Sequence, residues 1–190
     1  MVDLSKIQPD NSFPFRGETA QILEKLIKTN NQLQLKYHLA LIEWNRDNVS
    51  KAKELFLQCA NLPVDPAFYG AKASLFKNET PLVLSSLQQA IKLDGQSWRY
   101  PKLLTEYYIA QKQFDKALTT AESFYKKHQD NYLIGMLYAK TLLLNKKYRE
   151  ADVFLTKLQI LPFEGAIAGR QLYHEAKLMQ ALAEMKNKNY

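Results

Sequence analysis

The sequence is poor both in residues that interrupt helices and in residues that do chemistry. Its 190 residues include only 6 glycines and 7 prolines, which leaves few sites for tight turns and favours long helices with brief connections. A single cysteine, Cys59, excludes an internal disulfide framework. It follows the amphipathic stretch Glu54-Leu55-Phe56-Leu57-Gln58 and reads as a small core residue. No run approaches the roughly 20 consecutive apolar residues of a membrane helix. The opening Met1-Val2-Asp3-Leu4-Ser5-Lys6 lacks the apolar stretch of a secretory signal. The expectation is a chain with no membrane association, cytoplasmic rather than periplasmic.

Catalytic patterns are equally scarce. There is no glycine-rich phosphate loop, no His-Glu-x-x-His, and no cysteine pair for zinc. His38, His128 and His174 lie far apart, and the adjacent His174 and Glu175 do not face each other on a helix. Ser85, Ser86 and Ser123 have no base at helical spacing. The reading is not an enzyme, with no cofactor and no metal. Phenylalanine and tyrosine are plentiful, at 9 and 11, and interleave with lysine. Such a mixture can stack on single-stranded nucleic acid, but packing inside a helical array accounts for it better.

What the sequence does contain is apolar residues at helical spacing. Hydrophobic residues make up 46% of the chain, enough for a continuous core, and the net charge of +7 favours acidic partners. Residues 1–16, punctuated by Pro9 and Pro14, read as an irregular segment or linker, with Phe13 and Phe15 free to pack on the first helix. Ile22, Leu23, Leu26 and Ile27 then form one face of a helix over 18–30. Further helices are expected over about 32–46 and 48–60, from Pro66, from Thr80-Pro81 to Asp94-Gly95, and over about 98–111, 114–128, 131–145, 148–160 and 165–187. Pro66 suits a first helical turn, and Thr80 reads as a cap before Pro81. No segment alternates like a half-buried strand.

The helices pair, and the pairs repeat. Phe114-Asp115-Lys116-Ala117 and Tyr148-Arg149-Glu150-Ala151 stand 34 residues apart, each after a short lysine-containing turn. In that frame Ala40, Ala71, Thr105 and Ala139 form a small-residue column in the first helices. Ala52, Val83, Ala117 and Ala151 form one in the second helices. Phe56, Leu87 and Leu155, with Phe124 and Leu158 beside them, fill the outer columns. Small side chains let paired helices approach, and a pair this short buries its apolar face only by stacking on neighbours.

This period, with a large-small step in helix one and an aromatic then alanine opening helix two, resembles the tetratricopeptide repeat family over about residues 33–163. The resemblance implies an all-α, right-handed α-α solenoid of about four helix pairs, at 33–62, 64–95, 98–129 and 132–163. Capping helices at 18–30 and 165–187 would complete a single domain over 17–190. The family's glycine between paired helices is replaced here by Asp47, Asn78, Lys112 and Lys146. The stretch 161–176 is also similar to the C-terminal repeats of large bacterial proteins with an N-terminal β-rich, carbohydrate-associated domain. That second resemblance implies an accessory C-terminal domain of a carbohydrate-active protein as the alternative function.

By the first resemblance, the leading helix of each pair lines a concave groove that binds protein. Carried over by position, the groove contains Tyr37, Trp44, Phe68, Lys72, Arg99, Lys102, Glu106, Lys140 and Arg170. Its mixture of aromatic and basic side chains favours an acidic partner segment, a peptide or a neighbouring domain of the parent chain. The lysine clamp with which some relatives hold a terminal carboxylate is not reproduced. Tyr37 replaces its first lysine, and Lys102 is followed four residues on by Glu106 rather than a neutral or basic partner.

Overall fold

A computed structural model describes residues 17–30, 32–59, 65–158 and 166–187. Among them every regular element is an α-helix, and the chain divides into two compact units, Met1–Leu93 and Asp94–Tyr190. The expected linker at 1–16 and the packing of Phe13 and Phe15 lie outside the described residues.

The first unit contains α1 (Gly17–Thr29), α2 (Leu33–Asn45), α3 (Val49–Gln58), α4 (Pro66–Leu75) and α5 (Thr80–Leu93). Helices α2 and α3 pack as one pair and α4 and α5 as the next, with α1 against α2. Asp65 caps α4 by accepting from the Ala67 N–H at 2.8 Å, and Pro66 occupies the first turn, where its missing N–H costs nothing. Thr80 is the first helical residue of α5 rather than its cap. The helix starts one residue earlier than the Thr-Pro pattern suggests, and the Val83 N–H bonds the Glu79 carbonyl.

The second unit contains α6 (Arg99–Ala110), α7 (Phe114–Tyr125), α8 (Tyr132–Leu144), α9 (Tyr148–Lys157) and α10 (Ala166–Asn187). Each helix packs against the next, and α8 also touches both α6 and α10. The unit is therefore two-layered, with α6, α8 and α10 in one layer and α7 and α9 in the other.

The small-residue columns mark the closest helix contacts. Ala40, Ala52, Ala117, Ala139 and Ala151 are all fully buried, and Thr105 and Val83 nearly so. Ala71 departs from its column. It is only half-buried, and the α4 backbone buries Gly70 and Ala73 instead. Cys59 is fully buried, its thiol donating to the Leu33 carbonyl at 3.3 Å, and burial pushes its pKa up to about 11. It is a packing residue with no thiolate character at neutral pH.

Of the four turns that join the two helices of a pair, three are copies of one another. After α2, α6 and α8 the chain places Asp47, Lys112 and Lys146 at φ 65°, 56° and 59°. The Asn48 N–H bonds the Glu43 carbonyl and the Asp47 N–H the Trp44 carbonyl. The same two bonds run from Gln113 to Tyr108 and Lys112 to Ile109, and from Lys147 to Leu142 and Lys146 to Leu143. This is the Schellman closure, in which one left-handed residue satisfies the last carbonyls of a helix. Glycine normally fills that place, so these three side chains adopt it at a conformational cost. The turn after α4 is built differently and contains no left-handed residue.

Candidate functional site

In the first unit the groove assignment fails for Tyr37 and Phe68. Tyr37 and Phe68 are 1% and 0% exposed and form a triangle with Phe56. Ring centroids are 5.5 Å apart for Tyr37–Phe56, 5.1 Å for Tyr37–Phe68 and 5.4 Å for Phe56–Phe68. Three helices, α2, α3 and α4, each place one ring there, and the rings are core. Lys72 joins them from the surface, its ammonium 5.8 Å from the Phe68 centroid. Trp44 is half-buried against the edge of the same core. Only Lys72 and Trp44 of this set therefore keep surface for a partner.

The same unit holds a buried carboxylate that sequence reasoning missed. Glu43 is 2% exposed in α2, and its Oε2 accepts from the Asn48 side chain at 2.7 Å. Lys51 lies 3.4 Å from its Oε1 and Arg46 3.7 Å. Lys51 also pairs with Glu24 of α1 at 2.6 Å, and its hydrogen bond holds the Glu24 carboxyl below the ordinary value. Glu43 thus ties α2 to α3, and Lys51 extends the link to α1. The available signal was Glu43 falling next to Ile42 on the buried side of α2, opposite Asn48 just beyond the helix end. The burial of His38 likewise lowers its pKa, against the pull of Asp65.

In the second unit the assigned residues remain at the surface. Lys102 and Glu106 pair across one turn of α6 at 2.7 Å, so much of their charge is spent on each other. Arg99 is exposed, with its guanidinium 5.2 Å from the Trp98 ring. Lys140 and Arg170 are exposed, with no ion pair among the described residues. Met136 lies at the α8 position equivalent to Lys102 and is 8% exposed. Arg99, Lys102 and Glu106 stand on α6, Lys140 on α8 and Arg170 on α10. All belong to the same helix layer.

A further feature of this unit had no counterpart in the sequence reading. Tyr125, Tyr138 and Phe154 form a second aromatic triangle. Tyr125 and Tyr138 stack at 5.5 Å, and Phe154 stands edge-on to both at 5.0 and 5.1 Å. All three rings are half-buried. Tyr125 and Phe154 line an open cavity of about 470 Å³ with Tyr132, Leu158 and Lys157. Gly135 lets α8 approach this corner, since a Cβ there would lie 3.2 Å from Leu158. Among the described residues no group of three acidic, histidine or cysteine side chains could hold a metal, and no helix is long and apolar enough to cross a membrane.

No protein-family model matches the chain, and no curated protein does. Solved structures do. The chain is similar to TTC0263, a thermophilic TPR protein of Thermus thermophilus, at 19% identity and a TM-score of 0.56 over 84% of this chain and 89% of that one. It is also similar to nearly identical TPR-like repeats of Podosopora anserina, at 16% identity and a TM-score of 0.60 over 87% and 85%. With its all-helical pairs, alanine columns and repeated Schellman turns, the chain has the tetratricopeptide-like helical repeat fold.

Proposed function

We propose that this chain is a non-catalytic protein-interaction scaffold, and that the layer of α6, α8 and α10 in its second unit receives an acidic segment of a partner protein. One observation carries this reading. Arg99, Lys140 and Arg170 are exposed on three neighbouring helices without acidic partners among the described residues, while the one acid assigned to that face, Glu106, is taken up by Lys102. A surface of that sign attracts carboxylates and steers their approach. Exposed ion pairs are individually weak and screened by salt, so binding falls with ionic strength without vanishing. The first unit contributes less, because Tyr37 and Phe68 are committed to its core.

The test is calorimetry against a partner recovered with the protein. K140E combined with R170E should weaken binding more than K126E combined with K127E, a matched charge change at the far end of α7. Equal losses would reduce the interaction to net charge and sink the assigned face. The absence of catalysis is tested separately. Turnover in a broad substrate screen, abolished by a single substitution in this chain, would overturn it.

A further inference from the structure

The second unit has a separate basic surface on its turn edge. The α6–α7 turn presents Lys112, and Lys116 follows in the first turn of α7. The α8–α9 turn presents Lys146 and Lys147, followed by Arg149. All five side chains are exposed. The two turns are locked side by side, since the Asn145 side chain, in the α8–α9 turn, donates to the Phe114 carbonyl at the start of α7 at 2.9 Å. A second bond from the same amide, to the Thr141 carbonyl at 2.8 Å, fixes its orientation. The basic side chains of successive repeats therefore stand in a row on one rigid edge. Beside the row, Lys146, Arg149, Gln180 and Glu184 line an open depression of about 540 Å³ between the start of α9 and α10.

Two of these lysines are in unfavourable backbone. Lys112 and Lys146 both stand at positive φ, where glycine would be unstrained and asparagine nearly so. Strained positions invite a functional explanation; in this unit both carry a lysine at the tip of the turn, whereas the equivalent turn of the first unit carries Asp47. Lys147 is partly neutralised by Glu150 at 3.0 Å, and Lys116 lies 5.8 Å from the Tyr108 ring. Lys112, Lys146 and Arg149 have no ion pair among the described residues.

We propose that this turn edge docks an extended acidic peptide segment with a carboxylate at about every third residue. Helices packed side by side are separated by about 8–10 Å, which sets the step between the two turn tips. An extended polyproline II chain rises about 3.1 Å per residue with three residues per turn, so carboxylates three apart share one side and match that step. The row also contains acids: Asp115 and Glu150 stand among the cations, with Glu184 at the rim of the depression. Evenly charged phosphates along a nucleic-acid strand would meet them at every pass, whereas a peptide with spaced carboxylates avoids them. The surface is distinct from the α6, α8 and α10 face, and its occupancy does not depend on that assignment.

The experiment uses the full chain and a labelled peptide of four Glu-Ser-Gly repeats, titrated by fluorescence anisotropy at low salt. K112N combined with K146N places residues that accept the left-handed turn better than lysine, so the variant should melt at or slightly above the parent. Affinity should fall about three- to tenfold, the sum of two exposed charge contacts. K126N combined with K127N should change it less than about twofold. A peptide of the same composition with its glutamates contiguous should bind more weakly than the spaced one. The proposal is overturned if the turn variant binds like the parent, if the two lysine pairs lose equally, or if K140N with R170N, a matched change of charge, costs more than the turn variant. A contiguous peptide that binds as well would also overturn it, as would an oligothymidylate of equal charge that binds more tightly than the spaced peptide.

Discussion

Each unit contains a triangle of aromatic rings with sides near 5 Å, and the two units use it in opposite ways. Tyr37, Phe56 and Phe68 are sealed in the middle of the first unit. Tyr125, Tyr138 and Phe154 have equivalent ring contacts but stay half-exposed in the second, and two of them form the wall of a cavity. The difference lies in what surrounds the rings. Tyr37, Phe56 and Phe68 belong to one continuous cluster of buried residues drawn from α1 to α4. Tyr125 is the last residue of α7 and Phe154 lies in the final turn of α9, beside an open cavity. Ring geometry supplies a modest stabilisation in both places, but the area removed from water sets the larger contribution.

That contrast is broken most directly by removing one ring from each triangle. Phe56→Ala should cost the first unit about 3–5 kcal/mol, the range for a fully buried phenylalanine. Phe154→Ala should cost the second roughly 1–2 kcal/mol, because less area is lost. The two tryptophans make this measurable unit by unit, since Trp44 belongs to the first and Trp98 to the second. Trp98→Phe leaves a fluorescence signal for the first unit and Trp44→Phe one for the second. Equal losses in urea unfolding would mean that the second triangle is as much a core as the first.

The alanine columns sharpen the comparison at a smaller scale. Ala117→Leu and Ala151→Leu should each cost on the order of 1–3 kcal/mol, because no space exists between the paired helices for extra methyl groups. Ala71→Leu, in the first-helix column of the first unit, should cost less than about 1 kcal/mol, since Ala71 is half-buried. Comparable midpoint shifts for all three would show that the second helix pair follows the common register after all.

The residues that made the fold legible are those whose spacing is fixed by backbone geometry. The 34-residue step from Ala117 to Ala151 reports a helix-pair period, and helix ends follow from Asp65-Pro66 and Asp94-Gly95 within a residue or so. The second pair departs from this frame, with a different turn and a displaced small residue. The partner face was legible only as a set of positions. Counting along a repeat assigns Tyr37 and Phe68 to a surface, but whether a ring turns outward depends on which neighbours arrive over it, and Phe56 closes over both. Glu43 was invisible for the same reason: its burial is made acceptable by Asn48, Lys51 and Arg46 together, an arrangement of three side chains that periodicity does not encode.

The smallest expected effect concerns the turns. A side chain at left-handed φ costs about 1–2 kcal/mol, and glycine offsets part of the relief by about 0.5–1 kcal/mol of extra chain entropy. Lys112→Gly and Lys146→Gly should therefore each stabilise the second unit by roughly 0.5–1 kcal/mol. Asp47→Gly, in the first unit, should gain less, because a short polar side chain tolerates this region better. Asn78→Gly should gain nothing, since the turn after α4 has no left-handed residue for glycine to relieve. Urea midpoints with unchanged slopes would read these differences. A gain at Asn78 with none at Lys112 and Lys146 would reverse the assignment of strain. If the expected order holds while the same lysines prove necessary for binding the spaced acidic peptide, the second unit keeps two strained turns at a cost in stability in order to present their charges.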